Sequence, residues 1–431
     1  MPTKKKVLLL TYYWPPAGGA GVQRWLKMSK HLAKSFDLSI YIPEQAHYAT
    51  KDESLLAEVP ENVNIISHKI IEPYAFAEKL TPKNKAYQKG QIEDPDKQSL
   101  LSKASLWVRA NLFIPDARAW WIMSSYSFLK KYLKENPQDI IITTGPPHSV
   151  HVIGLRLKLN LPELKWIADF RDPWTQIDYF DKLPLSQSSI KKHHKLEKEV
   201  LKYADSIVTV SPSWADDLSK IANKEVKIIF NGYDSANFKK EIEPIEEFTI
   251  SYVGSLNDDR NPTVLWKALD ELCKNETFLN DLQLKLIGHI SEHVKSELET
   301  YPRLKQVVHY IPYLPHQEAI NELQKSHILL LLINETSNEK GIIPGKFFEY
   351  LASKRKILCL GSEGIDIQHL IEKINAGVFV ERNDENKMKE TLNIWHKKFK
   401  AGLLNKSMKQ NHCAYARKES ANKYIHLIDN I

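Results

Sequence analysis

The amino-acid sequence predicts an α/β protein built from two doubly wound parallel sheets. Short apolar runs alternate with helix-periodic stretches, a glycine-rich turn follows the first apolar run, and the alternation begins again at residue 248. The length of 431 residues, at about 150 residues per domain, favours two or three domains. We therefore expect two domains of similar architecture.

In the first half, an apolar run at residues 7–12 leads into the glycine-rich turn and a helix-periodic stretch. Further strands are predicted at residues 38–42, 139–143, 166–168, 206–210 and 226–229. The polar segment between residues 78 and 98 interrupts this pattern, and we expect an exposed loop or lid there.

The charged segment at residues 239–247 predicts an interdomain linker. Beyond it, strands are predicted at residues 248–253, 284–288, 307–311, 328–333 and 357–360. The predicted domains are an N-terminal one over residues 1–240 and a C-terminal one over residues 248–400, followed by a helical segment over residues 401–431. Two parallel sheets joined by one linker predict a cleft in which their carboxyl-end loops face each other.

Composition and charge exclude several classes of protein. Cys273, Cys359 and Cys413 lie far apart, so neither a disulfide framework nor a thiolate metal site is predicted. The H-x-x-E-H pattern at residues 289–293 has no identifiable third ligand, so we expect no metal. No apolar run approaches the roughly 18 residues of a membrane span, and residues 1–16 fit a buried strand better than a signal peptide. We therefore expect a cytoplasmic protein, and a net charge of +7 is too dilute to indicate nucleic acid.

The turn after the first strand contains Gly18, Gly19 and Gly21. Backbone amides at such a turn, with the positive end of the following helix, suit a phosphate or the close approach of a substrate. A turn that only packs the strand on the helix is the alternative. As a dinucleotide-binding fingerprint the turn is poor, because Arg24 occupies the third glycine position of the pattern and Glu44 would have to bind the ribose.

Two further motifs follow predicted strands of the first half. His148 lies in TTGPPHSVH, where ligand groups gather, and its imidazole could contact an acceptor or the transferred group. A capping or surface histidine is the alternative. The loop ADFRDPW offers Asp172 as an acceptor contact or acid–base group, whereas Arg171 fits an internal Arg–Asp pair at least as well.

In the second half, the most informative stretch is GIIPGKFFEYLA at residues 341–352. Pro344 and Gly345 begin a predicted helix whose free amides suit a pyrophosphate. Lys346 adds a positive charge, and the Glu349 carboxylate on the same helical face could accept hydrogen bonds from ribose hydroxyls. The alternative is a capped helix with a surface Lys–Glu pair, which contributes little stability.

The loop GSLNDDRNP at residues 254–262 follows the first strand of the second half. It begins with Gly254, and Arg260 would face the predicted cleft, where its guanidinium could clamp a diphosphate. Taken alone, Arg260 is better explained as an exposed arginine.

Two stretches could touch an anionic membrane surface. One is the lysine-rich helix predicted at residues 191–205, and the other is an aromatic-rich stretch with Trp107, Phe113, Trp120 and Trp121. Such aromatic side chains more often belong to the core, so core packing is the preferred interpretation.

Taken together, the motifs resemble those of the GT-B glycosyltransferases, specifically glycosyltransferase family 4. The segments that carry the resemblance occur in the family's order over nearly the whole chain: YYWPPAGGAGVQRW, TTGPPHSVH, ADFRDPW, VTVSPSWADDL, IIFNGYD, VGSLNDDRNP and GIIPGKFFEYLASKRKIL. The resemblance implies two Rossmann-like domains facing a central cleft, with the last helix crossing back to the first domain. It also implies transfer of a sugar from a nucleotide-sugar to a glycan or lipid-linked acceptor, with retention, in surface polysaccharide assembly. No cofactor would be required.

The resemblance assigns roles to individual residues. Arg260 and Lys346 match the positions that hold the donor pyrophosphate, and Glu349 matches the acid that binds the ribose. Gly19 matches the loop near the reacting phosphate, and His148 lies near the family's first-domain histidine. Donor binding would belong to the second domain and acceptor binding to the first.

The chain departs from the family pattern at one position. The family's paired acids, separated by seven residues, would place the first acid at position 341, where this chain has Gly341. Glu335 and Glu339 precede that position and break the spacing, and the backbone amides of Gly341, Ile342 and Ile343 could substitute for the acid.

Two other functions stay open. One is an NAD(P)-dependent two-domain oxidoreductase that uses Gly19-x-Gly21 and Glu44. The other is a degenerate transferase that serves as a binding subunit, which the glycine at position 341 suggests.

Overall fold

The computed structural model describes residues 4–44, 46–48, 50–70, 100–404 and 412–431. The chain divides into two units, of which the first comprises Met1–Phe230 with Arg417–Ile431 and the second comprises Asn231–Ala416. The division falls before the charged segment at residues 239–247, which lies in the second unit. The predicted loop or lid at residues 78–98 lies outside the described residues.

A seven-stranded parallel sheet of order β3-β2-β1-β4-β5-β6-β7 forms the first unit. Its strands are β1 Lys6–Leu10, β2 Asp37–Glu44, β3 Asn64–Lys69, β4 Ile140–Gly145, β5 Lys165–Phe170, β6 Ser206–Thr209 and β7 Lys227–Ile228. Its helices are α1 Ala20–Ser35, α2 Leu100–Leu112, α3 Trp121–Glu135, α4 Ser149–Asn160, α5 Gln187–Tyr203 and α6 Pro212–Ala222. The strand order reverses between β1 and β4, and such a switch point is where ligands bind at the carboxyl edge of parallel sheets.

A six-stranded parallel sheet of order β10-β9-β8-β11-β12-β13 forms the second unit. Its strands are β8 Phe248–Val253, β9 Leu282–Ile287, β10 Val308–Ile311, β11 Ile328–Leu332, β12 Lys356–Gly361 and β13 Gly377–Glu381. Its helices are α7 Thr263–Leu272, α8 Glu276–Asp281, α9 Glu292–Leu298, α10 His316–Lys325, α11 Gly345–Ala352, α12 Asp366–Ile374 and α13 Glu385–Lys400. The switch point of this sheet lies between β8 and β11.

The central strands are buried along most of their length because helices cover both faces of a doubly wound sheet. In β1, Leu8 packs into one apolar cluster and Leu9 into the cluster on the opposite face. All five residues of β11 are buried. The prediction of two doubly wound parallel sheets is thus confirmed, although β3 and β13 were not predicted.

The last helix, α14 Arg417–Asp429, packs against α1 in the first unit. The Tyr424 hydroxyl donates a hydrogen bond of 2.7 Å to Asp169 at the end of β5, and Arg24 of α1 pairs with the same carboxylate at 3.1 Å. This buried network fastens the C-terminal helix to the carboxyl edge of the first sheet.

Within the described ranges, no helix combines the length and apolar character that crossing a bilayer requires. The same part of the chain has no group of three or more His, Cys, Asp or Glu side chains arranged to hold a metal ion.

Candidate functional site

The carboxyl edge of the second sheet places a lysine over a glycine. Lys346 Nζ donates a hydrogen bond of 3.0 Å to the Tyr252 hydroxyl and lies 4.3 Å from the centre of the Tyr252 ring. A Cβ atom at Gly254 would lie 2.8 Å from this ammonium, and Gly254 has a φ of +127°. Glycine at this position therefore supplies both the backbone conformation and the space for the Lys346 cation over the end of β8.

The start of α11 leaves backbone amides open beside this cation. Pro344 precedes the helix, its first turn contains no acidic residue, and the amides of Gly345 and Lys346 have no intrahelical acceptor. No atom lies within 4 Å of where a Cβ at Gly345 would stand. This helix start has room for an anion and the polarity to bind one.

Of the three backbone amides that could substitute for the missing acid, two already donate hydrogen bonds to the backbone. Residues Glu339–Gly341 form a 3₁₀ turn in which the Gly341 amide donates to Asn338 at 3.3 Å and the Ile342 amide donates to Glu339 at 3.0 Å. Of the three, the Ile343 amide is the one without a backbone acceptor among the described residues.

Glu339 does not lie at the position that the family's acid spacing gives. It is buried, and both of its carboxylate oxygens accept hydrogen bonds. Its Oε1 accepts hydrogen bonds from Arg382 at 2.8 Å and from the Ser362 amide at 2.9 Å, and its Oε2 accepts from the Ser362 hydroxyl at 2.9 Å. Arg382 also donates to the carbonyl of Ile333 at 3.1 Å. This carboxylate is therefore not available to bind sugar hydroxyls. Its partners follow β12 and β13, and no local sequence pattern identifies them.

Arg260 lies at the switch point of the second sheet. Its Nε donates to the side-chain oxygen of Asn334, which follows β11, and Asn334 in turn donates to Asp259 at 3.4 Å. The side chain is half-buried and linked to the neighbouring loop, so the interpretation as a simple exposed arginine does not describe it.

Glu349 is bonded to a histidine that the sequence analysis missed. Its Oε1 lies 2.9 Å from Nε2 of His316, the first residue of α10. Lys346 bonds to Tyr252 instead, so the surface Lys–Glu pair considered as an alternative is not formed. A single histidine after a proline carries no sequence signal for this role.

At the carboxyl edge of the first sheet, Arg171 connects the loops on both sides of the switch point. It donates to the carbonyls of Gly21 and Pro146, both at 2.6 Å, and to Gly145 at 3.2 Å. Gly19 caps α1 with a φ of +90° and is exposed. The internal Arg–Asp pair expected for Arg171 is not formed among the described residues: Arg171 bonds to backbone carbonyls, and Asp169 pairs with Arg24.

Other parts of the glycine-rich turn have settled partners. The Gly18 amide donates to Thr50 at 3.0 Å. Arg24, at the third glycine position of the dinucleotide pattern, is buried and also donates to the carbonyl of Ile229 at 3.0 Å. Glu44 ends β2, where the acid of a dinucleotide site would lie.

His148 is buried and stacked. Its ring lies parallel to the Trp174 ring at 5.2 Å, and neither ring nitrogen has a hydrogen-bond partner of good geometry among the described residues. Burial lowers the pKa of His148 to about 3; the Pro173 carbonyl opposes this shift and the nearby Arg171 adds to it. The side chain makes no capping bond to α4 and is not on the surface. It is a neutral imidazole with free hydrogen-bonding capacity.

Asp172 is half-buried and has no hydrogen-bond partner among the described residues. Burial raises its pKa, the carboxylates of Asp178 and Asp169 add to this, and Arg171 opposes it. Such a carboxyl group takes up a proton more readily than a surface aspartate, which suits an acid–base contact.

No protein-family model matches the chain, and no curated protein matches it either. Solved structures do match over its full length. Anabaena Alr3699/HepE in complex with UDP and glucose is 12% identical with a TM-score of 0.58, over 99% of this chain and 100% of that chain. Trehalose-6-phosphate synthase OtsA is 10% identical with a TM-score of 0.62, over 99% of each chain. A Listeria monocytogenes protein provisionally assigned as UDP-N-acetylglucosamine 2-epimerase is 13% identical with a TM-score of 0.55, over 99% of this chain and 96% of that chain.

The two parallel-sheet units and these likenesses define the fold as GT-B, the architecture of nucleotide-sugar glycosyltransferases such as OtsA and HepE. The predicted fold class is confirmed on this point. The similar structures include a protein assigned as an epimerase, so the fold alone does not identify the reaction.

Proposed function

We propose that this protein is a family 4 glycosyltransferase that moves a sugar from a nucleoside-diphosphate sugar to a glycan or lipid-linked acceptor, with retention, in surface polysaccharide or glycoconjugate assembly. One observation carries the proposal. At the switch point of the second sheet, the Lys346 ammonium lies over Gly254 beside the open first turn of α11. A cation and free amides at one point suit a diphosphate, and HepE and OtsA have been captured with UDP or a UDP-sugar in the same fold.

The chemistry requires stabilisation of a leaving nucleoside diphosphate. The bond between the anomeric carbon and the phosphate oxygen breaks, and its electron pair stays on the diphosphate. Lys346, Arg260 and the amides of α11 supply positive potential where this charge develops. The acceptor oxygen forms the new bond on the same face of the sugar, and its proton passes to the leaving phosphate. Because these groups neutralise the diphosphate, the proposed reaction needs no metal ion or other cofactor.

Acceptor binding is assigned to the first unit. Gly18 and Gly19, which have no side chains, directly precede α1, and this allows close approach of a substrate. Asp172 can hydrogen-bond to an acceptor hydroxyl, and His148, whose ring nitrogens are buried, supports this edge by stacking on Trp174. Glu349 would bind the ribose of the donor, with His316 holding its carboxylate.

Ligand binding distinguishes this function from its alternatives. Thermal melting would be measured with UDP, GDP, ADP and CDP, their sugars, and NADH and NADPH. We expect one nucleoside diphosphate and its sugar to raise the melting temperature by several degrees. Stabilisation by NADH or NADPH without any nucleoside diphosphate would instead support the oxidoreductase.

Product analysis completes the test. The stabilising nucleotide-sugar would be incubated with protein, and the products would be separated and identified by mass spectrometry and NMR. Slow release of free sugar and nucleoside diphosphate, or transfer to an added glycan, is the expected outcome. An epimerised nucleotide-sugar would point to the epimerase reaction, and binding with no turnover would support the binding subunit.

We also infer a partner, an anionic membrane surface. Trp107, Leu112, Phe113, Trp120 and Met123 form an aromatic surface on α2 and the start of α3. Four of them are highly exposed, at 48% for Trp107, 66% for Leu112, and 52% for both Trp120 and Met123. Phe113 stacks on Trp120 with ring centres 5.7 Å apart. Core packing is therefore wrong for Trp107 and Trp120, although it holds for the fully buried Trp121.

Basic side chains lie on the same and neighbouring elements as this aromatic surface. Arg156 lies 3.0 Å from the Met123 sulfur, and Lys103 and Arg109 share α2 with Trp107. The amide group of Asn111 also bonds to Pro184 and Ser186, which precede the exposed lysines at the start of α5. Tryptophan with a basic rim is the composition of surfaces that bind anionic bilayers.

Vesicle sedimentation tests this partner. Vesicles of phosphatidylglycerol and phosphatidylcholine would retain the wild-type chain, and the double variant Trp107→Ser with Trp120→Ser would bind about tenfold less. The control is Tyr313→Ser, which removes an aromatic side chain that is 83% exposed in the second unit. Equal binding of the wild type and the double variant would overturn the proposal. So would a dimer of the wild type, seen by light scattering, that the double variant abolishes.

A further inference from the structure

Three loops of the second sheet are joined by one hydrogen-bonded cluster, which we call the clamp: the buried Glu339 and the half-buried Ser362 and Arg382. Glu339 belongs to the loop after β11, Ser362 follows β12 and Arg382 follows β13. These loops leave the carboxyl edge of adjacent strands. The clamp therefore lies where loop positions determine the shape of the donor site.

We propose that Glu339 is a positioning residue of the donor site, which it serves by fixing the Ile343 amide and the first turn of α11. The proposal rests on the proposed function, because it concerns the same site. Glu339 begins the 3₁₀ turn, its own carbonyl accepts the Ile342 amide at 3.0 Å, and the Ile343 amide follows directly. The bonds of the Glu339 carboxylate therefore tie this turn to the loops after β12 and β13.

The clamp has few other arrangements open to it. Both carboxylate oxygens of Glu339 are bonded, one to Ser362 and Arg382 and the other to Ser362. Arg382 bonds in addition to the Ser362 hydroxyl at 2.8 Å and to the Ile333 carbonyl at the end of β11. A charged network with all its groups satisfied holds one geometry, whereas partial loss leaves buried charge unpaired.

The clamp also explains how the donor site can function without an acid at position 341. At position 341 a carboxylate would accept hydrogen bonds, whereas the Ile343 amide donates one. Without a side chain to adjust, an amide can serve only if its turn is held in place. Glu339 thus acts through the backbone and does not itself touch the donor.

Two measurements test the proposal. The first is binding of inorganic pyrophosphate by calorimetry, which requires no knowledge of the nucleotide base. The second is hydrogen–deuterium exchange of residues 341–346 in the ligand-free protein. For Glu339→Gln we expect pyrophosphate affinity to fall about tenfold and exchange at Ile343 and Gly345 to become faster. Ser362→Ala removes one hydroxyl from the clamp and is expected to act in the same direction with a smaller effect.

The matched control is Glu335→Gln. Glu335 lies on the same loop, 3.6 Å from Arg382, but is 77% exposed, and we expect both measurements to stay within twofold of the wild type. If Glu339→Gln and Ser362→Ala lower thermal stability but leave exchange and affinity unchanged, the clamp is structural and the proposal is overturned. If the wild type does not bind pyrophosphate, the proposed donor site fails, while the exchange data still decide whether Glu339 positions the turn.

Discussion

The two sheets share a strand order, but their carboxyl edges differ in which charged groups are free to bind a ligand. At the first edge, Arg171 donates its hydrogen bonds to backbone carbonyls, and His148 is neutral and buried. At the second edge, the Lys346 ammonium and the first amides of α11 lie beside open space. Parallel sheets of this order commonly bind ligands at the carboxyl edge, and we expect the side chains to decide which of the two edges attracts a diphosphate.

The two edges also use opposite charges to hold their loops. An arginine, Arg171, crosses the switch point of the first sheet, and a glutamate, Glu339, joins the loops of the second. Arg171 donates hydrogen bonds to carbonyl oxygens, so its side chain does not occupy backbone amides of the first edge. Glu339 instead accepts hydrogen bonds from an amide and a hydroxyl, and its negative charge is paired with the positive charge of Arg382. The positive potential of the second edge therefore depends on Lys346 and Arg260.

Replacement of Lys346 should give the largest effect on donor binding and catalysis. In Lys346→Ala we expect donor affinity to fall about 100-fold and kcat/KM about 1,000-fold, because a positive charge at the leaving group is lost. Calorimetry with the nucleoside diphosphate and steady-state kinetics would measure the two changes.

A second lysine near the same helix provides the control. Lys354 follows α11 and pairs with Glu241 at 3.0 Å on the surface, so Lys354→Ala should keep affinity within twofold. Equal losses in both variants would show that general charge, and not the position over Gly254, governs binding.

The first edge should lose stability when its arginine is removed. Arg171→Met removes the guanidinium donor to the carbonyls of Gly21, Gly145 and Pro146, although Gly145 keeps the backbone amide of residue 171 as a donor. We expect the free energy of unfolding to drop by about 3 kcal/mol. Urea denaturation would measure this change. The exposed Arg156→Met is the control, with an expected change of about 0.5 kcal/mol or less.

The same variant tests the division of labour between the edges. Arg171 belongs to the first unit and Lys346 to the second, so pyrophosphate affinity in Arg171→Met should stay within twofold. A tenfold loss would show that the first edge contributes to diphosphate binding, and the contrast between the edges would then be wrong.

The strands that the sequence predicts include every central strand and the edge strands β7 and β10. The edge strands β3 and β13 were not predicted; in β3, Ile66 is the buried residue and its neighbour Ile65 is 39% exposed, so the apolar pattern is weak. Edge strands need fewer apolar residues, so their pattern resembles that of a loop.

For the site, local motifs indicate the ligand-facing groups but not their partners. Lys346 and Glu349 stand out because a proline and a glycine begin their helix. Their partners Tyr252 and His316 lie 94 and 33 residues earlier in the chain. Only the sheet order brings these segments together, so a single sequence cannot identify them.

The glycine under the lysine should be sensitive to a single methyl group. In Gly254→Ala the new Cβ would lie 2.8 Å from Lys346 Nζ, at a φ of +127°. We expect a loss of about 2 kcal/mol in unfolding free energy from backbone strain, and about tenfold weaker diphosphate binding from displacement of the cation. Urea denaturation and calorimetry would measure these two effects.

Gly345 offers a matched comparison at the same edge. Nothing lies within 4 Å of its Cβ position, so Gly345→Ala should change the unfolding free energy by about 0.5 kcal/mol or less. If the two alanine variants were equally stable, Gly254 would not hold its positive φ in solution; if they bound the diphosphate equally well, the close contact between Gly254 and Lys346 would not exist there.

The smallest expected effect is a pH dependence that originates at the first edge. Burial lowers the pKa of His148 from 6.5 to about 3, so between these values the unfolded chain binds a proton that the folded chain does not. The free energy of unfolding therefore falls as the pH falls below 6.5. His148→Phe keeps a ring that can stack on Trp174 and has no nitrogen to protonate.

Between about pH 7.5 and 5.5 the wild type should therefore lose about 1 kcal/mol more stability than His148→Phe, a value set by the roughly 1.4 kcal/mol that each pH unit below the unfolded pKa contributes. Urea denaturation at the two pH values measures the difference, and any constant change in stability caused by the phenylalanine cancels. Parallel pH profiles of the two proteins would show that His148 is protonated as readily in the folded chain as in the unfolded one. The imidazole would then have access to water, and the first edge would hold an open charge as the second edge does.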